Sequence, residues 1–135
     1  MVSPHPIYVV DDDAEARDSI RFLLATLKLD SITFRGGAEF VERLESLPSG
    51  CILLDLRMPT IDGLAVQQAL VERGLDWPII FMTGSADTPS VVRALRTGAV
   101  EFIEKPFTDE QLLTALHKGF VELKKRQAPP QRAAS

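Results

Sequence analysis

The sequence predicts a doubly wound α/β sandwich. Five short apolar runs alternate with longer segments of helical period, several runs are apolar at consecutive positions, and residues suited to helix termini stand between the segments. A strand apolar on both faces belongs to a parallel sheet covered by helices on either side. The strand candidates are Ile7 to Val10, Ile32 to Phe34, Cys51 to Leu54, Ile79 to Met82 and Phe102 to Ile103.

Between the first two runs, Ile20, Leu23, Leu24 and Leu27 recur at helical spacing from a start near Ala14, with Asp13 as the N-cap. Phe40, Val41 and Leu44 mark a second helix, and Leu64, Ala65, Gln68, Leu70 and Val71 a less regular third. Val91, Val92 and Leu95 mark a fourth, closed by Gly98. The fifth carries Leu112, Leu113, Leu116, Phe120 and Leu123 after Asp109, and its basic last turn, Lys124 to Arg126, complements the helix dipole. Right-handed crossovers between five parallel strands put the ligand site beyond the carboxyl ends of the strands. The domain is expected to span residues 1–126, with 127–135, which hold two prolines and no periodicity, as a linker or disordered tail.

Composition narrows the function classes. A chain of 135 residues can bury a core without disulfides or a structural metal, and 45% apolar with 25% charged residues is neither a disordered nor a membrane composition. The net charge of −4, with no Lys/Arg cluster before the tail, disfavours direct nucleic-acid binding. Cys51, the single cysteine, lies in an apolar run and reads as a small buried hydrophobe in a reducing cytosol. Met1 to Pro6 has no cationic region leading into an apolar stretch, and no window approaches the roughly 18 apolar residues of a membrane span. A cytoplasmic location without membrane contact is expected.

The chemistry gathers at one sheet edge. Asp11, Asp12 and Asp13 directly follow the first apolar run, and Asp55 follows the third. If those strands are neighbours, as in a 2-1-3-4-5 order, the carboxylates converge in one crevice. Crowded like charges need a cation, and Mg²⁺, which takes oxygen ligands and completes its shell with waters and phosphate oxygens, suits them. Asp13 reads instead as a helix cap. Thr83 follows the fourth run and Lys105 the fifth, on the same rim. A lysine can neutralise a phosphoryl oxygen, a hydroxyl can hydrogen-bond another, and an aspartate can be the nucleophile that forms an aspartyl phosphate. Taken singly, each of these residues is better read as a turn or surface group; their co-location gives them meaning. The isomer of the Lys105–Pro106 bond is left open by the sequence.

These residues resemble the receiver domain of two-component response regulators, a flavodoxin-like fold, over about Ile7 to Leu123. The resemblance rests on V-V-D-D-D at Val9 to Asp13, L-L-D-L-R-M-P at Leu53 to Pro59 with Asp62 and Gly63, F-M-T-G at Phe81 to Gly84, Gly98 with Ala99, and K-P-F at Lys105 to Phe107. The stretches I-I-F-M-T-G-S-A-D and A-V-E-F-I-E-K-P-F look most like the nitrogen-fixation subfamily with a LuxR-type output. The resemblance implies that Asp55 accepts a phosphoryl group from a sensor histidine kinase. It implies Mg²⁺, with Mn²⁺ as a substitute, on Asp12, Asp55 and the Arg57 main-chain carbonyl, and Asp11 acting through a metal-bound water. Thr83 and Lys105 would contact the phosphoryl group, and Phe102 would reorient as Thr83 moves. The helix-4/strand-5 face would then change, with a homodimer on phosphorylation and a C-terminal DNA-binding output domain as partners. Arg57 and Ser85 occupy places that influence phosphoryl lifetime.

Two other readings bear on these residues. Asp11-x-Asp13 after an apolar strand resembles the acid pair of a haloacid-dehalogenase-type phosphatase, but Glu15 stands where that family has Thr or Val. A receiver-like module that binds partners without phosphorylation generally lacks an acid, the acceptor or the lysine, and none is missing here. The expectation is therefore a signalling phosphoacceptor with self-catalysed phosphorylation and dephosphorylation, not an enzyme.

Overall fold

Burial at every position explains the consecutive apolar runs: all residues of β1 (Ile7–Val10), β3 (Cys51–Asp55) and β4 (Ile79–Thr83) are buried. The structure is a computed structural model that describes residues 5–84 and 88–127. Its other elements are α1 (Ala14–Thr26), β2 (Ser31–Phe34), α2 (Gly37–Arg43) with a following 3₁₀ turn (Leu44–Ser46), α3 (Gly63–Glu72), α4 (Thr88–Arg96), β5 (Glu101–Glu104) and α5 (Asp109–Gln127). Ser85 and residues 128–135, on which two of the sequence expectations fall, lie outside the described residues.

The five strands form one parallel sheet in the order β2-β1-β3-β4-β5, as expected. Alternation along each strand sends Tyr8, Val10, Ile52, Leu54 and Phe81 to one face, where they pack with Phe40 of α2, Val66 and Leu70 of α3 and Ala94 of α4. Ile7, Val9, Cys51, Leu53, Ile80 and Met82 go to the other, against Ile20 and Leu24 of α1 and Leu112, Ala115 and Leu116 of α5. The first face is rich in aromatic side chains, Tyr8, Phe34, Phe40, Trp77 and Phe81; the buried residues of the second are aliphatic apart from Cys51 and Met82, with Phe107 and Phe120 packed at its margin.

Two helices turn a different face inward from the one their apolar residues suggest. In α3 the buried set is Gly63, Val66, Gln67 and Leu70, spaced i, i+3, i+4, i+7, whereas Gln68 and Val71 face solvent. The buried Gln67 amide is satisfied by donating to the Ala94 carbonyl at 2.9 Å. In α4 only Ala94 is buried among the described side chains, and Val92 and Leu95 are exposed. That helix closes as expected at Gly98 (φ 118°), with N–H groups of Gly98 and Ala99 on the carbonyls of Leu95 and Ala94. Among the described residues no helix is long and apolar enough to cross a membrane.

Candidate functional site

Strand register brings the acidic residues together. Val10 pairs with Leu54 across β1 and β3, so the next residue on each, Asp11 and Asp55, meets at the carboxyl edge of the sheet. Asp55 is the last residue of β3 and Thr83 the last of β4, so each strand runs one residue further than its apolar run. α3 can begin close to Asp55 because Asp62 caps it, accepting from the Ala65 N–H at 2.9 Å, and because residue 63 is glycine. A Cβ at Gly63 would lie 2.6 Å from the Asp55 carbonyl oxygen.

Asp11 is fully buried and fully engaged. Its N–H donates to the Phe34 carbonyl, and its carboxylate accepts from the Asp13 N–H at 2.9 Å and from Lys105 Nζ at 2.7 Å. Lys105 Nζ also lies 3.6 Å from Asp55 Oδ2, so one ammonium spans two carboxylates. The Arg57 N–H reaches Asp55 Oδ1 at 3.3 Å. Lys105 is placed by its own N–H on the Thr83 carbonyl at 2.7 Å, and the Lys105–Pro106 bond is cis. Thr83 is buried on the same rim.

Asp12, next in the chain, is exposed, and one carboxylate oxygen from each of Asp11, Asp12 and Asp55 falls within 4.8 Å of the others. Asp13 stays out of this group; as expected it caps α1, accepting from the Glu15 N–H at 3.0 Å. Phe102 is half-buried against the aromatic core, paired in register with Phe81. Arg17 was not picked out from the sequence, yet its Nη1 donates to the Asp11 carbonyl at 2.7 Å. Its only sequence signal is a long basic side chain in the first turns of α1, where side chains lean back toward the helix N-terminus.

The electrostatics follow from crowding. Burial, then the Asp11 charge, push the Asp55 carboxyl up to about 7, against the opposing pull of Lys105. Burial works against the charge on Lys105, but the hydrogen bond and charge of Asp11, and then Asp55, outweigh it and hold the ammonium above its ordinary pKa. Three converging carboxylates with one ammonium between two of them make an all-oxygen, electronegative crevice whose outer member is open to solvent. That donor set fits Mg²⁺ or Mn²⁺, which take hard oxygen ligands and retain waters.

Comparison with known proteins bears on the family and the fold. The family model described as "Response regulator receiver domain" matches residues 7–117. The chain is similar to the transcriptional regulatory protein TdiR of Thauera aromatica, 40% identical over 111 residues, covering 82% of this chain and 49% of the relative. It is equally similar to the transcriptional regulatory protein FixJ of Bradyrhizobium diazoefficiens, 40% identical over 130 residues, 96% of this chain and 61% of that protein. The chain thus spans roughly half to three-fifths of these curated relatives. The crystal structure of FixJ-N superimposes with a TM-score of 0.84 at 30% identity, covering 90% of this chain and 97% of the other.

Proposed function

Because the chain belongs to the response regulator receiver family, we propose that it takes a phosphoryl group from a phosphohistidine of a sensor kinase onto Asp55. The observation that carries this reading is the buried Asp55 carboxylate with Lys105 Nζ 3.6 Å away and Asp11 and Asp12 beside it. In the transfer, the P–N bond of the phosphohistidine breaks and a P–O bond forms to an Asp55 carboxylate oxygen. The imidazole nitrogen keeps the electron pair and takes up a proton. The reaction asks the protein mainly for positioning and charge neutralisation. Lys105 supplies positive charge to an equatorial phosphoryl oxygen, and the Thr83 hydroxyl donates to another.

Asp12, Asp55 and the Arg57 carbonyl would hold Mg²⁺ or Mn²⁺ directly, with Asp11 bound through water; the ion would neutralise charge on the transferring group. Arg57, exposed at the mouth of the site, and Ser85 tune how long the phosphoryl group survives. Turnover is confined to the protein's own Asp55, so the chain acts as a signalling phosphoacceptor in the cytoplasm.

Acetyl phosphate with Mg²⁺ should label the wild-type protein stoichiometrically, while Asp55→Asn should take up nothing; full labelling of that variant would sink the assignment. A lack of labelling of the wild type would favour a partner-binding module without phosphorylation.

The new phosphate contacts of Thr83, with Phe102 turning inward, bias a pre-existing equilibrium of the α4/β5 face. That face carries the exposed Val92 and Leu95 with Arg93 and Arg96 on α4, and the acidic Glu104 on β5, whereas Glu101 turns to the other side of the strand and pairs with Lys118 of α5 at 2.6 Å. Opposite charges on adjoining elements suit a two-fold pairing of like surfaces, in which basic α4 of one copy meets acidic β5 of the other. The modified form is therefore a homodimer, and an unchanged hydrodynamic size after phosphorylation at high protein concentration would remove this part. Relatives described as transcriptional regulators are longer than this chain, which supports control of transcription through a DNA-binding output domain joined beyond residues 127–135.

A further inference from the structure

The three carboxylates are not held alike. Asp11 is fixed by four hydrogen bonds: its N–H to Phe34, its carbonyl from Arg17, its two carboxylate oxygens from Asp13 and Lys105. Asp55 ends a buried strand and is in contact with Lys105 and the Arg57 N–H. The Asp12 carboxylate is exposed and has no hydrogen-bond or ionic partner among the described residues. Its place within 4.8 Å of the other two oxygens therefore rests on the backbone beneath it. That backbone is the Asp11–Asp12 peptide, whose orientation sets the direction of the Asp12 Cα–Cβ bond. The carbonyl of that peptide is the atom that Arg17 Nη1 holds at 2.7 Å. Arg17 is itself anchored in α1, with its own N–H on the Asp13 carbonyl at 3.0 Å. The turn between β1 and α1 is thus closed on both sides.

We propose that Arg17 is a positioning residue for the cation site: by gripping the Asp11 carbonyl it holds the Asp12 carboxylate toward Asp11 and Asp55. This rests on the reading of the acidic crevice as a Mg²⁺ site. A guanidinium near a divalent cation site is electrostatically unfavourable to the cation. If Arg17 acted only as a charge, removing it would tighten cation binding; if it acts by positioning, removing it weakens binding. The two roles differ in sign.

The test is calorimetric titration of the whole chain with Mg²⁺, repeated with Mn²⁺, on wild type, Arg17→Met and Arg17→Lys. The Met variant keeps the aliphatic stem and loses every donor, and the Lys variant keeps the charge and one donor. Supporting groups behind metal ligands are typically worth about 10- to 100-fold in affinity. Arg17→Met should bind Mg²⁺ about tenfold more weakly, with faster hydrogen exchange at the Asp13 amide. Arg17→Lys should stay within about threefold of wild type. Phosphorylation of the Met variant should need more Mg²⁺ yet reach the wild-type rate at saturation. Equal or tighter binding by Arg17→Met overturns the inference, and so does a Lys variant as weak as the Met variant. Circular dichroism checks folding; if Arg17→Met does not fold, Arg17→Gln replaces it, too short to reach the carbonyl and without charge, so that the same opposite signs decide. A wild type that binds neither ion overturns the cation-site reading and the Arg17 inference together, whereas binding by the wild type with no loss on substitution removes Arg17 alone.

Discussion

The helices that precede and follow the edge strand β5 are held by different physics. α5 runs for 19 residues and buries Leu112, Ala115, Leu116, Gly119 and Leu123. At Gly119 it lies so close to the sheet that a Cβ would come 2.5 Å from Cys51 Sγ and 3.2 Å from Ile80 Cδ1. α4 runs for nine residues and, among described side chains, buries Ala94 alone. What ties it down is directional: Gln67 on the Ala94 carbonyl at 2.9 Å, and Arg126 on the Gly98 carbonyl at 3.3 Å. Apolar attachment grows with buried area, whereas a net hydrogen bond contributes only about 1 kcal/mol. Both helices start within a few residues of the acidic site, α4 after Thr83 and α5 after Lys105. The comparison teaches which of them such a site can move: a few new contacts to a phosphoryl group compete with the ties on α4 and are outweighed by the packing of α5.

The largest effect expected from breaking this contrast is at Gly119. Gly119→Val should lower stability by roughly 3 kcal/mol through overpacking against Cys51 and Ile80. Urea unfolding reads it directly, and a wild-type midpoint would mean that α5 has slack over Cys51.

A smaller effect comes from pH. The folded Asp55 carboxyl holds its proton up to about 7, and in the unfolded chain it releases it near 4. The folded state therefore binds the extra proton between those values, so this group makes the metal-free protein lose stability as pH rises from about 4 to about 7, and then levels off. Thermal melts in EDTA should show this slope in the wild type and a flatter profile in Asp55→Asn. Mg²⁺ should restore most of the loss at pH 7. Hydrogen exchange under the same conditions sharpens the comparison: α4 amides should respond to the pH change, and α5 amides much less.

Gln67→Leu should have the smallest effect on stability, within about 1 kcal/mol, since an apolar side chain of similar size replaces a buried amide and the Ala94 carbonyl keeps its bond from the Ala99 N–H. Exchange at α4 amides should nonetheless rise several-fold. Unaltered exchange there would show that α4 is held by something other than these ties.

Strands were the most legible part of the sequence, because a doubly covered parallel sheet needs apolar residues at each position, and few other structures do. The acidic site was legible for a related reason: a parallel sheet delivers every strand end to one edge, so Asp11, Asp12, Asp55, Thr83 and Lys105 could be grouped from their places after apolar runs. Helix faces were less so. In α3, Leu64, Val66, Leu70 and Val71 offer competing stripes, and only packing against α4 decides that Gln67 goes in and Gln68 stays out. In α4 the most apolar stripe is the exposed one. Partners of long side chains were invisible: that Lys105 lies closer to Asp11 than to Asp55, and that Arg17 reaches a main-chain carbonyl six residues back, depend on rotamers that no pattern of residue types encodes.

The close fit of Gly119 over Cys51 turns the chain's single thiol into a clock. Burial pushes that thiol up to about 12, so in the closed protein it is both hidden and protonated, and an alkylating reagent can reach it only while α5 stands away from the sheet. With the reagent raised until the modification half-time no longer shortens, that half-time measures how often the helix lifts. The same readout, taken before and after acetyl phosphate treatment, would time the motions of the rigid layer without any probe being added to the molecule.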